Sequence, residues 1–201
     1  NELCSARGLA IIADEVFLDF SLSAERPASF STNSRALTFT LSWLSKISGL
    51  PQMKAAWIIV SGPEEDKSQA LARLEVIADT FLSMNTPVQH AIPVFLEQRH
   101  AFQKQLMSRI RRNLAVLERQ LATQKCISRL AIEGGWYAVL RVPATRSDED
   151  LAIALLETQG VFVHPGHFYD FPGDGYLVVS LMTAERDFSE GLGRVVSFCS
   201  L

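Results

Sequence analysis

Lys46 is the residue whose type and position best suit covalent chemistry. An apolar run, 37–41, leads through small and polar residues to this lysine, and a Gly49-Leu50-Pro51 turn follows before a second apolar run, 55–60. This order predicts a strand, a lysine beyond its end, a tight turn and another strand. In general, a lysine amine that loses hydration becomes a usable nucleophile and can form a Schiff base with a carbonyl compound. On residue type alone, a surface lysine on a turn is the more common case.

Asp14 is the second candidate. It ends the short, continuous apolar run 9–13, a pattern typical of a strand buried on both faces. Open α/β sheets place their ligand chemistry at the carboxyl ends of such strands. A carboxylate in this position also caps turns and helices. The functional interpretation of Asp14 therefore depends on the other motifs of the chain.

Three segments resemble, in the same order, motifs of the class I/II aminotransferases, which are fold-type I enzymes that use pyridoxal phosphate. Ser45-Lys46-Ile-Ser-Gly-Leu-Pro51, followed by Lys54 and Trp57, resembles Ser-Lys-x-x-Gly-Leu-Pro-Gly-x-Arg-x-Gly-Trp. Segment 10–17 ends in Asp-Glu-Val-Phe where the family has Asp-Glu-Val-Tyr. Segment 160–168 resembles Gly-Val-x-Val-x-Pro-Gly-x-x-Phe. The spacings between the motifs are also similar to those of the family.

The resemblance implies a role for each matching residue. Lys46 would bind pyridoxal phosphate through its amine and then carry the α-proton of the substrate, while Asp14 would keep the pyridine nitrogen protonated. Lys54 stands where the family usually has arginine, and would neutralise the phosphate without a bidentate fork. Ser45 or Ser42 would donate a hydroxyl to the phosphate. The implied protein is a cytoplasmic homodimer that transfers an amino group between an amino acid and a 2-oxo acid.

Several positions depart from the family pattern. Phe17 replaces a tyrosine that donates to the ring hydroxyl of the cofactor, and Trp43 stands where a phosphate-binding serine is common. Val178 stands where the family has the arginine that binds the substrate carboxylate. Another cation would have to serve, or the substrate is unusual, or activity is lost. His164 and His167 lie in the third motif, near the expected substrate entrance, although structural or surface roles are more common for such histidines.

Two alternatives to an aminotransferase stay open on this sequence. The first is a pyridoxal-phosphate-dependent lyase of the same fold, which would carry out β-elimination. The second is a non-catalytic relative, either the aminotransferase-like sensor domain of a transcription regulator or a degenerate scaffold.

Composition limits the number of domains, the main binding partner and the cellular compartment that the sequence predicts. With 201 residues, 48% of them hydrophobic, the chain can form one large domain or two small ones. A net charge of −3 argues against nucleic acid or an anionic membrane surface as the main partner. Cys4, Cys126 and Cys199 are odd in number and far apart, which suits a reducing cytosol. No apolar run approaches the roughly 18 residues of a membrane span, and no signal-peptide pattern opens the chain.

The predicted fold class is α/β in two parts. Residues 1–98 are predicted to form part of a large domain that binds pyridoxal phosphate on a partly parallel sheet. Residues 99–201 are predicted to form a small α+β domain whose sheet is mainly antiparallel, introduced by a long linking helix over about 99–124. Pro93 is expected to kink or break the chain before that helix, after a shorter one over 88–98. The strands predicted for the second part are 126–132, 136–142, 161–164 and 176–181.

The opening of the chain carries a further expectation. Asn1 begins a helix-like segment that leads directly into the strand 9–13, and few strands are available to pair with it. The resemblance places a long segment of the family before this point. The chain is therefore expected to be the C-terminal half of an enzyme, and to be inactive in transamination by itself.

Overall fold

The computed structural model describes residues 1–25 and 27–200. Its contacts divide the chain into two compact units, Asn1–Lys104 and Gln105–Leu201. The boundary falls inside the longest helix, α4 (Thr86–Leu121).

The first unit is built on a three-stranded mixed sheet. Its strands are β1 (Ile11–Asp14), β2 (Thr38–Trp43) and β3 (Ala56–Ser61), in that spatial order. β1 runs parallel to β2, and β3 runs antiparallel to it. The other helices are α1 (Glu2–Arg7), α2 (Leu44–Ile47) and α3 (Glu64–Thr80). The predicted α/β class with a partly parallel sheet is confirmed.

Polar side chains and one glycine fix the start of β2. The Thr38 hydroxyl is buried, donates to the Ala36 carbonyl at 2.9 Å and accepts from the Asn33 amide at 2.7 Å. Gly62, just after β3, has a φ of 130°, and a Cβ added there would lie 2.8 Å from the Ala36 carbonyl oxygen. Only glycine allows the two chain segments to approach this closely. This close approach brings the start of β2 alongside the end of β3, its antiparallel partner.

Helix α4 differs from the sequence prediction. It runs continuously through Pro93, so the two predicted helices are one and the expected break is wrong. The Asn85 side chain caps the helix by accepting from the Val88 amide at 3.0 Å. Around the proline, Ile92, Phe95 and Leu96 pack against a buried cluster. Burial of this face offsets the roughly 3 kcal/mol that an internal proline costs a helix.

The second unit contains a four-stranded antiparallel sheet, as predicted. In spatial order its strands are β4 (Ser128–Arg129), β5 (Tyr137–Arg141), β7 (Tyr176–Ser180) and β6 (His164–Pro165). The remaining helices are α5 (Asp148–Gln159) and α6 (Glu185–Cys199). Their buried residues, which include Leu151, Leu155, Phe188, Leu192 and Val195, belong to the core of this unit.

Two strands of this sheet, β4 and β6, are much shorter than predicted. Other hydrogen bonds occupy the backbone groups that would extend them. The Gln124 side chain bonds both the amide and the carbonyl of Ile127, at 2.7 Å each, so β4 begins only at Ser128. The Val161 amide bonds to the Leu155 carbonyl and completes the end of α5. At the other end of the predicted strand, Pro165 has no amide hydrogen with which to continue a ladder. β6 is therefore reduced to two residues.

A buried carboxylate organises the third motif. Asp148 is 2% exposed, and its Oδ1 accepts from the amides of Gly175 at 2.6 Å and Tyr176 at 3.0 Å. A Cβ added to Gly166 would lie 2.6 Å from the Tyr176 Cβ and 2.8 Å from Asp148 Oδ2. The motif therefore needs a glycine at this position.

The predicted boundary between residues 98 and 99 also lies inside α4. The assignment of 1–98 to a cofactor-binding domain and of 99–201 to a small domain stays a prediction. Across residues 1–25 and 27–200, no helix is both long enough and apolar enough to cross a membrane.

Candidate functional site

The two sequence motifs of the first unit meet at one edge of its sheet. Asp14, the last residue of β1, is the parallel register partner of Leu41 in β2. The Asp14 side chain is exposed, and its Oδ1 accepts from the Val16 amide at 3.1 Å. Beyond the end of β2, the chain forms the single turn of α2 that carries Lys46. Asp14 thus lies at the carboxyl end of β1, and Lys46 follows the carboxyl end of the adjacent parallel strand β2. Open α/β sheets bind their ligands at this edge.

Lys46 is directed back toward the motif that contains Asp14. The lysine is half-buried, and its Nζ lies 5.6 Å from the centroid of the Phe17 ring. This is the geometry of a cation–π contact. Leu44, at the start of α2, is fully buried beside Ala55 and fixes the turn against the core. The turn that carries the lysine is therefore packed against the core through Leu44, while the lysine amine lies near an aromatic ring.

Residues of α4 hold the turn that follows the lysine. Gly49 has a φ of 66°, and a Cβ added there would lie 2.5 Å from the ring of Phe102. The Gln103 side chain donates to the Ile47 carbonyl at 2.9 Å and to the Asp19 carboxylate at 3.0 Å. The Ser48 hydroxyl donates to the carbonyl of Phe95 at 3.2 Å. Sequence reasoning missed these supports, because no local signal pairs them with Lys46.

Lys54 has an unusual backbone conformation. It follows the 3₁₀ turn Pro51–Met53 with a φ of 50° and a ψ of 43°, in the left-handed region. Such a conformation costs a residue other than glycine about 1–2 kcal/mol. The side chain is exposed, so it is accessible to an anion. Strain of this kind is common at functional sites.

The other predicted site residues lie near the end of β2. Ser45 is half-buried on α2, and Ser42 is half-buried on β2, where it pairs with Trp57 of β3. Trp43 closes the same ladder opposite Ala56 and is half-buried. Trp43 thus serves the sheet at the position where the family pattern has a serine. The segment that joins β2 to β3 carries Ser45, Lys46 and Lys54. Ser42 is the last but one residue of β2, and Asp14 ends β1.

Glu15 is a further residue that sequence reasoning did not single out. Its carboxylate accepts from the Phe30 amide at 2.6 Å and from the Ser29 hydroxyl at 2.7 Å. These bonds tie the segment after β1 to a distant loop. The acidic side chain beside Asp14 therefore has a structural use, which leaves Asp14 as the carboxylate at the strand end.

In the second unit, His164 and Val178 are cross-strand partners. Partners in register share one face of a sheet, so the imidazole lies beside the valine that replaces the family arginine. The His164 Nδ1 is 2.8 Å from the Tyr169 hydroxyl, and its ring contacts Phe162 edge-on at 5.3 Å. Burial raises the pKa of Tyr169, and the nearby Tyr137 adds to that increase. His164 thus belongs to an aromatic and hydroxyl cluster.

His167 and Val178 differ in their surroundings. His167 is exposed, and its ring meets Phe168 edge-on at 4.8 Å. Val178 is 4% exposed and forms part of the core. The valine gives this strand no charged group for a substrate carboxylate.

A family model for class I and II aminotransferases matches residues 1–187. The chain is 23% identical to an alanine aminotransferase of Mycobacterium tuberculosis, over 98% of this chain and 48% of that protein. It is also 23% identical to the glutamate-pyruvate aminotransferase AlaA of Haemophilus influenzae, over 99% of this chain and 51% of that protein. The chain thus spans about half the length of the curated relatives it matches.

Solved structures agree with the family match. A tyrosine aminotransferase from Leishmania infantum superposes with a TM-score of 0.83 at 20% identity, over 99% of this chain and 50% of that one. An alanine aminotransferase from Pyrococcus furiosus gives a TM-score of 0.83 at 18% identity, over 99% and 51%. These likenesses establish a shared fold. Because the family model covers most of the sequence, the chain belongs to the class I and II aminotransferases.

Proposed function

We propose that Lys46 and Asp14 are the central cofactor-binding residues of an aminotransferase that uses pyridoxal phosphate. The observation that carries the proposal is the placement of the Lys46 amine 5.6 Å from the Phe17 ring. Phe17 belongs to the same motif as Asp14, which ends the parallel strand next to β2. A nucleophilic amine and a carboxylate are thereby presented by two motifs that meet at one sheet edge.

The donor set at this edge fits the cofactor on which the family depends. Pyridoxal phosphate has an aldehyde, a ring nitrogen and a phosphate group. The segments at the edge supply an amine from Lys46, a carboxylate from Asp14, a hydroxyl from Ser45 and a second cation from Lys54. When bound, the cofactor acts as an electron sink that stabilises negative charge at the α-carbon of the substrate.

Each residue has a role that follows from its chemistry. The Asp14 carboxylate accepts from the protonated ring nitrogen and keeps that charge in place. The Lys46 amine would hold the cofactor through its aldehyde carbon and, once the substrate amine has displaced it there, would carry the proton that leaves the substrate α-carbon. Lys54 neutralises the phosphate as a point charge, and Ser45, or Ser42 in its place, donates a hydroxyl. Phe17 offers a ring face where the family pattern has a hydroxyl.

The reaction proposed is transfer of an amino group between an amino acid and a 2-oxo acid. Relatives named as alanine and glutamate-pyruvate aminotransferases support alanine and glutamate as the first donors to test. Since Val178 lacks charge, we propose that a cation elsewhere in the whole protein binds the substrate carboxylate. We also propose that the whole protein is a cytoplasmic homodimer.

The decisive experiment is reductive labelling. The chain is incubated with pyridoxal phosphate, reduced with borohydride and mapped by peptide mass spectrometry. Reduction traps even a weakly held cofactor, so the label should be concentrated on Lys46. Lys46→Ala should remove it, whereas Lys104→Ala, a change elsewhere in the first unit, should leave it in place. Labelling at other lysines with Lys46 unmodified would refute the proposal.

A further inference from the structure

Two of the three cysteines line one cavity in the second unit. Cys126 and Cys199 lie on the wall of a cavity of about 420 Å³, together with Pro143, Arg146, Leu151 and Phe198. Cys126 is exposed and Cys199 is partly buried, and both are free thiols. The third cysteine, Cys4, belongs to the first unit. The fold thus brings together two thiols that are far apart in sequence.

Neither cysteine lies in the interior of a helix or strand. Cys126 lies at the tip of the short loop between α4 and β4, and the two Gln124–Ile127 bonds close this loop at its base. Cys199 is the last residue of α6, where a helix frays readily. A disulfide requires the two Cα atoms to lie within about 7 Å of each other. A disulfide between Cys126 and Cys199 therefore requires the loop tip and the helix end to come within that distance.

The cavity also distinguishes the two thiols. Burial raises the pKa of Cys199, and the Arg146 guanidinium partly opposes this increase. The same guanidinium lies 5.8 Å from the centroid of the Phe198 ring, next to Cys199 in the chain. Cys126 is open to solvent and is therefore the thiol that an external reagent meets first. Cys199 is placed to react second, from within the protein.

We propose that Cys126 and Cys199 are a dithiol site that a low-molecular-weight disulfide oxidises to an intramolecular disulfide. The Cys126 thiolate attacks one sulfur of the small disulfide, forms a mixed disulfide and releases one small thiolate. The Cys199 thiolate then attacks the Cys126 sulfur and releases the second small thiolate. Two protein thiols are oxidised, one small disulfide is reduced to two thiols, and the protons of the cysteines pass to the released thiolates. The bond would link the two ends of the segment 126–199.

The test uses the full chain and oxidised glutathione. After reaction and alkylation of the remaining thiols, digestion with trypsin without reduction separates the cysteines into peptides 1–7, 126–129 and 195–201. We expect peptides 126–129 and 195–201 to be joined, and to exceed any product that contains peptide 1–7 by roughly tenfold, because the two thiols have a high effective concentration. In concentrated urea this preference should collapse, which shows that it depends on the fold.

Single substitutions assign the order of the two steps. Cys199→Ser should stop the reaction with glutathione held on peptide 126–129, whereas Cys4→Ser should give the same link as the parent chain. The proposal is overturned if glutathione accumulates on both peptides without a link, if Cys126 fails to react, or if links to Cys4 are equally abundant. None of these readouts depends on transaminase activity, so the result is independent of the proposed function.

Discussion

The Nζ of Lys46 lies 5.6 Å from the centre of the Phe17 ring, and this contact joins the two motifs of the first unit. A lysine over an aromatic face gains about 0.5–1 kcal/mol when exposed and more when it is desolvated. Where the family pattern has tyrosine, phenylalanine keeps the ring face and removes the hydroxyl. The position of the lysine amine thus depends on a feature that both residue types share.

Substitutions of Phe17 should show whether the ring face or a ring hydroxyl positions the Lys46 amine. Phe17→Leu keeps an apolar side chain but removes the π face, so we expect reductive labelling of Lys46, relative to Lys54, to fall by about two- to fivefold. Phe17→Tyr, the matched control, should keep the parent ratio or exceed it. Peptide mass spectrometry after borohydride reduction gives both ratios. A leucine variant that labels like the parent would show that the ring does not position the amine.

Gly49 should be among the least replaceable residues of the first unit. Alanine there meets a left-handed backbone and the Phe102 ring at 2.5 Å, so Gly49→Ala should lower the free energy of unfolding by about 2–4 kcal/mol. Gly8 is a matched control, since its φ is 59° but a Cβ there would meet nothing within 4 Å. Gly8→Ala should cost only about 1 kcal/mol.

Urea denaturation of the two variants measures this difference. In a double-mutant cycle, Gly49→Ala with Phe102→Ala should lose less stability than the sum of the two single losses, because the second change removes the ring that the new methyl group contacts. Equal losses in Gly49→Ala and Gly8→Ala would show that backbone strain alone decides the cost.

At Lys54, the substitution that raises the stability of the first unit should weaken phosphate binding. Lys54→Gly relieves the left-handed strain and should stabilise the first unit by about 1 kcal/mol, as measured by urea denaturation. The same change removes the proposed phosphate cation. The preference of Lys46 labelling for pyridoxal phosphate over pyridoxal should then fall by roughly tenfold.

Lys54→Arg is the control for charge. It keeps the cation, can add a bidentate contact and should maintain or raise the preference for the phosphorylated reagent. If Lys54→Gly left the preference unchanged, Lys54 would have no part in phosphate binding.

The sequence was informative where chemistry and local pattern coincide. Apolar runs located β1, β2 and β3, and the alternation of short strands and helices predicted the antiparallel sheet of the second unit. No local sequence pattern predicts a structural feature that depends on contacts between residues far apart in the chain. Nothing local indicates that Gln103 bonds the Ile47 carbonyl, or that the packing around Pro93 keeps α4 continuous. The side-chain bonds of Gln124 likewise shorten β4, although its apolar pattern is that of a longer strand.

The 201-residue chain by itself should not catalyse transamination. β1 and β3 are the edges of the three-stranded sheet, and large apolar side chains on them are open to solvent, with Ile12 73% and Ile58 48% exposed. Exposed edges of this kind favour association of chains over a single rigid site. The proposed cofactor contacts in the first unit come from one strand end and one connecting segment, which provides little of the preorganisation that catalysis requires. The measurement is pyruvate formation from alanine with added pyridoxal phosphate and 2-oxoglutarate, with Lys46→Ala as the background. Turnover similar to that of a full-length relative, and lost in Lys46→Ala, would show that these residues suffice for the reaction.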